Sequence, residues 1–144
     1  MFTDIESAIA EKLRAELPDV QVMTAADLAS VTEDRQPTPA LHVVYQNYRV
    51  LETRADGRAA SIEQSWLVVA VAKDVRDMRS GSASRLAAGE LAEQALPHLM
   101  GWHPPEAVGP LLLSTPPKPA YSNGITYLPL AFTVKTTIAN RGTP

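Results

Sequence analysis

The sequence predicts an α+β domain: a twisted, mostly antiparallel sheet of four to five strands, two helices packed on one face, and a long protruding hairpin. Three observations predict it. An amphipathic helical pattern opens the chain, and two long alternating segments flank an Asp56-Gly57 turn. An alanine-rich helical stretch then separates that pair from two further strand-like segments. Hairpins imply antiparallel pairing, and two amphipathic helices need one sheet face to cover. The 144 residues suit one domain, so 1–144 reads as a single unit, with no internal repeat.

The first helix rests on Phe2, Ile5, Ile9, Leu13 and Leu17, which recur at intervals of three and four and make one apolar stripe. Thr3 and Glu6 have the spacing of a capping box, and Asp4 and Glu6 put negative charge at the positive end of the helix dipole. Pro18 closes the helix, and Val20 to Met23 predicts a short strand. Ala25 to Pro39 is polar and ends in proline, which predicts a loop with one helical turn.

Leu41 to Leu51 alternates as a strand, with Leu41, Val43 and Tyr45 on one face and His42 and Val44 on the other. Ser61 to Ala72 is its returning partner. That strand is apolar on both faces, Leu67, Val69 and Val71 against Trp66, Val68 and Ala70, so both faces need cover. The tip from Glu52 to Arg58 is polar and is expected to project beyond the core. A charged connection runs from Lys73 to Ser82.

The second helix is expected from Ala83 to Leu96, capped by Ser82 or Ser84 and ended by Pro97. Its buried stripe is Ala88, Leu91, Ala92, Ala95, Leu96 and Leu99, small enough for close approach to a sheet. Val108 to Ser114 and Ile125 to Ile138 complete the strands, the last preceded by a Ser122-Asn123-Gly124 turn.

Composition narrows the function. Without cysteine, there are no disulfides and no thiolate metal sites. Thirteen basic against sixteen acidic residues give a net charge of −3, which argues against a dedicated nucleic-acid binder. No stretch approaches the ~18 consecutive apolar residues of a membrane span. Met1-Phe2-Thr3-Asp4 opens with neither a basic region nor an apolar core, so no export signal is expected.

Catalytic constellations are equally sparse. His42 sits in a strand, His98 at a helix end and His103 in a Pro-rich turn, with no pair at metal-ligand spacing. Ser80, Ser82 and Ser84 surround a glycine without forming a nucleophile elbow. Glu90 and Glu93 lie at helical spacing on a face expected to be solvated. The expectation is a protein with no catalytic residues, no metal and no cofactor, and not an enzyme.

Two features exceed what a fold needs. One is the hairpin tip with Arg54, Asp56, Gly57 and Arg58; the other is the connection with Lys73, Asp74, Arg76, Asp77, Met78 and Arg79. Both suit docking onto another protein by complementary charge.

The opening MFTDIESAIAEKLRAELP, the strand ending SWLVVAVAKDVRD, the Ala-rich helix and the segment LPHLMGWHPPEAVGPLLL together resemble the tail terminator (tail completion) proteins of long-tailed bacteriophages and prophages. The kind resembled is that of Mu-like phages, akin to the lambda terminator. The most specific piece is Leu99-Met100-Gly101-Trp102-His103-Pro104-Pro105, where Gly101 supplies a positive φ, Trp102 folds back over the core and the prolines fix the exit.

The resemblance implies a hexameric ring on the end of the tail tube, which ends tube polymerisation and joins the tail to the head connector. It implies as partners the chain itself, the tail tube protein and the head-tail connector, with no membrane and no sequence-specific nucleic acid. The place implied is the virion tail, after assembly in the bacterial host cytoplasm. The tip and the Lys73 to Arg79 connection together are expected to form one of the two patches that a ring requires, and a helix flank or sheet edge the other. The alternatives are a cytosolic protein- or ligand-binding module without catalysis, or another phage neck or tail component.

Overall fold

A computed structural model describes residues 1–76 and 78–140. The elements in chain order are α1 (Phe2–Glu16), β1 (Gln21–Met23), α2 (Ala25–Leu28), a 3-10 turn (Glu33–Arg35), β2 (Ala40–Thr53), β3 (Ala59–Lys73), α3 (Ser82–Leu99), β4 (Leu112–Ser114), β5 (Ala120–Ser122) and β6 (Ile125–Ala139). The sheet has six strands in the order β1-β2-β3-β6-β4, with β5 also on β6. The architecture is the α+β arrangement expected, with one strand more than the upper figure.

The core lies between one sheet face and the helices α1 and α3. Ile5, Ile9 and Leu13 of α1 and Ala88, Leu91, Ala92, Ala95 and Leu99 of α3 are buried. They meet Leu41, Val43, Trp66, Val68, Ala70, Phe132 and Val134 from the sheet. Small residues on α3 bring its backbone close to the strands, as the alanine stripe implies. At the base of α3, Ser84 Oγ bonds Thr126 Oγ1 at 2.7 Å and the Gly81 carbonyl at 3.1 Å. One buried polar chain spans the sheet: Trp66 Nε1 donates to Gln64 Oε1 (2.8 Å), and Gln64 Nε2 donates to Thr136 Oγ1 (2.9 Å).

The opposite face is only partly covered. Ala40, Val71 and Ile125 make a small second cluster with Val69 and Tyr127. The segment after α2 is tied there: Glu33 accepts from Ser122 Oγ (2.9 Å) and Tyr127 Oη (2.7 Å), and Gln36 Nε2 donates to Tyr127 Oη (2.7 Å). Leu67 and Val69 remain half-buried, so the expected cover on both faces is incomplete in the single chain.

Several local expectations are corrected. Thr3 caps nothing: α1 starts at Phe2 with Met1 as its cap residue, and the Met1 amine pairs with Asp4 at 2.9 Å. The capping box lies instead at Thr24 and Asp27, which open α2. β1 pairs in parallel with β2, the one parallel pair of a sheet that is otherwise antiparallel among the described residues. Gly81 rather than a serine precedes α3, at φ +68°, and Pro97 sits inside the helix, which runs on to Leu99. Proline there forfeits a single hydrogen bond in the last turn, while the Leu96 and Leu99 carbonyls accept from the Met100 and Trp102 N–H groups. The strand foreseen from Val108 shrinks to Leu112–Ser114, and β5 arises in the Pro-rich stretch.

The hairpin is also less free than expected. β6 follows β3 along its whole length, from Lys73↔Ile125 to Ala59↔Ala139, so the arm is three-stranded. Only the turn between Thr53 and Ala59 extends past that ladder.

Candidate docking surfaces

The tip is an ordered turn. Arg54 pairs with Asp56, Asp56 Oδ1 accepts from the Arg58 backbone N–H (3.0 Å), and the Gly57 N–H donates to the Arg54 carbonyl (2.9 Å). These contacts hold the two arginines on a fixed frame. All four site residues at the tip are brought together as expected, with Arg54, Asp56 and Gly57 exposed and Arg58 half-buried.

The Lys73 to Arg79 connection lies at the other end of β3. Its acidic anchor is Asp74, which takes both Nε and Nη2 of Arg76 at 2.6–3.2 Å. Bonds from the Arg76 side chain and backbone hold the Asp74 carboxyl at about 2, below its ordinary 3.8. Lys73, Met78 and Arg79 are exposed, and Asp77 lies outside the described residues. Tyr121 Oη donates to the Met78 carbonyl, and the Tyr121 ring lies against Gly81, where an added Cβ would come within 2.8 Å of it. That ring and the positive φ together explain glycine at this turn.

These two clusters do not form one patch. The fifteen residues of β3 separate them, and an extended strand of that length spans roughly 45–50 Å. They occupy opposite ends of the molecule.

The link from α3 to β4 follows its expected geometry. Gly101 has φ +78°, and its N–H donates to the Leu111 carbonyl at 3.0 Å. Trp102 packs on the core, under Lys12 Nζ at 5.8 Å from the ring centroid. Across residues 1–142, this chain matches a family model described as phage tail terminator protein. The chain belongs to the phage tail terminator family. It is a structural component of the phage tail. No curated protein matches the chain.

Nothing in the terminator's geometry gathers its histidines. His103 Nε2 bonds the Ala107 carbonyl at 2.8 Å, and His98 Nδ1 meets Glu16 at 3.5 Å rather than a helix-end carbonyl. His42 is buried with its Nε2 unpartnered, and desolvation lowers its pKa. No group of three potential metal ligands occurs among the described residues.

Sequence reasoning offered a helix flank or sheet edge as a second surface but named none of its residues. On β2, Tyr45, Tyr48 and Val50 are exposed beyond the stretch that β1 covers. Phe2 supports the tyrosines, with ring centroids at 5.3 and 5.7 Å. On the far edge, Val108, Leu112 and Leu113 are exposed while Leu111 is buried. The Leu111-Leu112-Leu113 run carried the signal, because consecutive side chains of an extended segment point to opposite faces and only one face meets the core.

Proposed function

We propose that this terminator forms a six-fold ring on the end of the tail tube, stops the addition of tube subunits, and offers its other side to the head connector. Its membership of the terminator family over 1–142 carries this reading. The separation of the two charged clusters supports it, since a ring between two partners needs a distinct surface toward each. One end would present Arg54 and Arg58 on their Asp56 frame, and the other Lys73, Met78 and Arg79. Assembly would take place in the host cytoplasm before the tail joins the head, with the tube protein and the connector as partners. The surfaces then work by binding, with no substrate transformed.

Reversing the tip charge tests this: Arg54→Glu with Arg58→Glu, mixed with tail tubes and viewed by electron microscopy. The expected outcome is a folded protein that leaves tube ends bare. Normal capping by the double variant would overturn the role of the tip. Tails of normal length from phage lacking the protein would overturn the terminator reading itself.

A further inference from the structure

A cyclic ring is built from one heterologous contact, so each subunit must carry two different patches on opposite sides. The sheet has such sides. β2 and β6 are each antiparallel to β3 and so run in the same direction. A neighbour related by rotation about an axis along the strands would therefore set its β2 edge beside the β6–β4 edge of this copy. Both edges are apolar at the same height. The pairings Tyr45↔Trp66, Trp66↔Phe132 and Leu113↔Phe132 place Tyr45 and Leu113 on one rung across four strands. Val108 donates its N–H to Lys135, which pairs with Glu63 and through it with Arg49, between Tyr48 and Val50. Tyr48, Val50, Val108, Leu112 and Leu113 are 49–63% exposed. Tyr45, Tyr48 and Val50 pair with the buried Trp66, Gln64 and Ile62 and share the core face; Leu113 stands on that face at the far edge, and Leu112 on the opposite one. Clustered exposed apolar side chains mark an interaction surface, unlike single scattered ones.

The geometry points to a head-to-tail contact in which Tyr45, Tyr48 and Val50 of one copy receive Leu113 and the neighbouring Val108 of the next. This rests on the ring reading above and names the surface that closes the ring. Side chains carry the contact more than backbone pairing does. β2 has register shifts at Tyr45/Asn47 and Val50/Glu52, and Pro110 and Pro116 flank the short β4. Bulges and prolines interrupt an open ladder, which blunts indiscriminate edge pairing while leaving the apolar side chains available.

The absence of cysteine makes a clean test possible. The full chain would be prepared as Tyr48→Cys, as Leu113→Cys and as the double variant, concentrated or mixed with tail tubes, and exposed to a short bis-maleimide. The double variant is expected to give a ladder of covalent multimers ending at the ring number. The two single variants mixed should give dimers, while each alone stays largely uncoupled. Efficient dimers from either single variant alone would show a two-fold contact and overturn the proposal. Rings seen by electron microscopy or native mass spectrometry without cross-links would also overturn it while leaving the ring reading intact. No rings and no cross-links in the presence of tubes would sink both. Tyr48→Arg, checked for a native thermal melt, is expected to abolish rings; unchanged ring formation would overturn the contact independently of cross-linking chemistry.

Discussion

Gln64 is a polar side chain with no exposed surface, and its replacement by leucine is the sharpest stability test in the molecule. Its amide accepts from the Trp66 indole and donates to Thr136. Gln64→Leu leaves the indole N–H buried without an acceptor, at a cost of ~1–3 kcal/mol. The Thr136 bond adds ~0.5–1.5 kcal/mol, and its hydroxyl keeps only the weak Met1 Sδ acceptor at 3.8 Å. Leucine recovers about 1 kcal/mol through apolar burial. The net loss is about 1–3 kcal/mol, which at about 3 °C per kcal/mol for a chain of this size lowers Tm by ~3–9 °C. Denaturant titration and thermal melts of Gln64→Leu, Trp66→Phe and the double variant measure it. In the Trp66→Phe background no orphan N–H exists, so Gln64→Leu should be milder there by ~1 kcal/mol or more. Equal destabilisation in both backgrounds, within ~0.5 kcal/mol, would refute the account.

Two further predictions concern single buried or strained groups. Burial lowers the His42 pKa beneath its ordinary 6.5, so the unfolded chain takes up a proton that the folded one refuses, and stability falls as pH drops below about 6.5. Thermal melts across pH 8 to 5 should show this loss, and His42→Leu should flatten it; an unchanged slope would assign the effect elsewhere. Gly81→Ala should destabilise by ~1–3 kcal/mol in denaturant titration, from a left-handed alanine and its clash with the Tyr121 ring. Adding Tyr121→Ala should restore part of that loss, and no restoration would place the whole effect in the backbone.

The fold was legible where burial and periodicity coincide. Ile5, Ile9 and Leu13 fall at helical spacing and are all buried, and Trp66, Val68 and Ala70 do the same at strand spacing. What failed was local punctuation. Thr3-x-x-Glu6 and Thr24-x-x-Asp27 fit the same motif, yet Phe2 packs on Tyr45 and Tyr48, which draws the start of α1 two residues earlier and leaves Thr3 inside the first turn. β5 has three residues, too few for alternation to register; β1 was expected from Val20 to Met23 and forms at Gln21–Met23, but strand direction has no sequence pattern at that length. The parallel pairing of β1 follows from tertiary layout: the chain leaves β1, crosses through α2 and the 3-10 turn, and re-enters the sheet beside it.

The charged ends were visible because charge needs no fold to be noticed, and the strand expected from Ser61 to Ala72 runs between them, so their separation was legible although both were placed in one patch. The residues of the lateral edges were not. Leu41, Val43 and Tyr45 obey one alternation, yet the first two are fully buried and Tyr45 is 39% exposed. The difference lies in α1, whose first turn ends over the tyrosines. Alternation reports which face a residue occupies and is silent about how far the covering helix reaches. Where the apolar face of β2 outruns α1, the pattern of a core continues without its cover. That excess is the surface the proposed head-to-tail contact would cover.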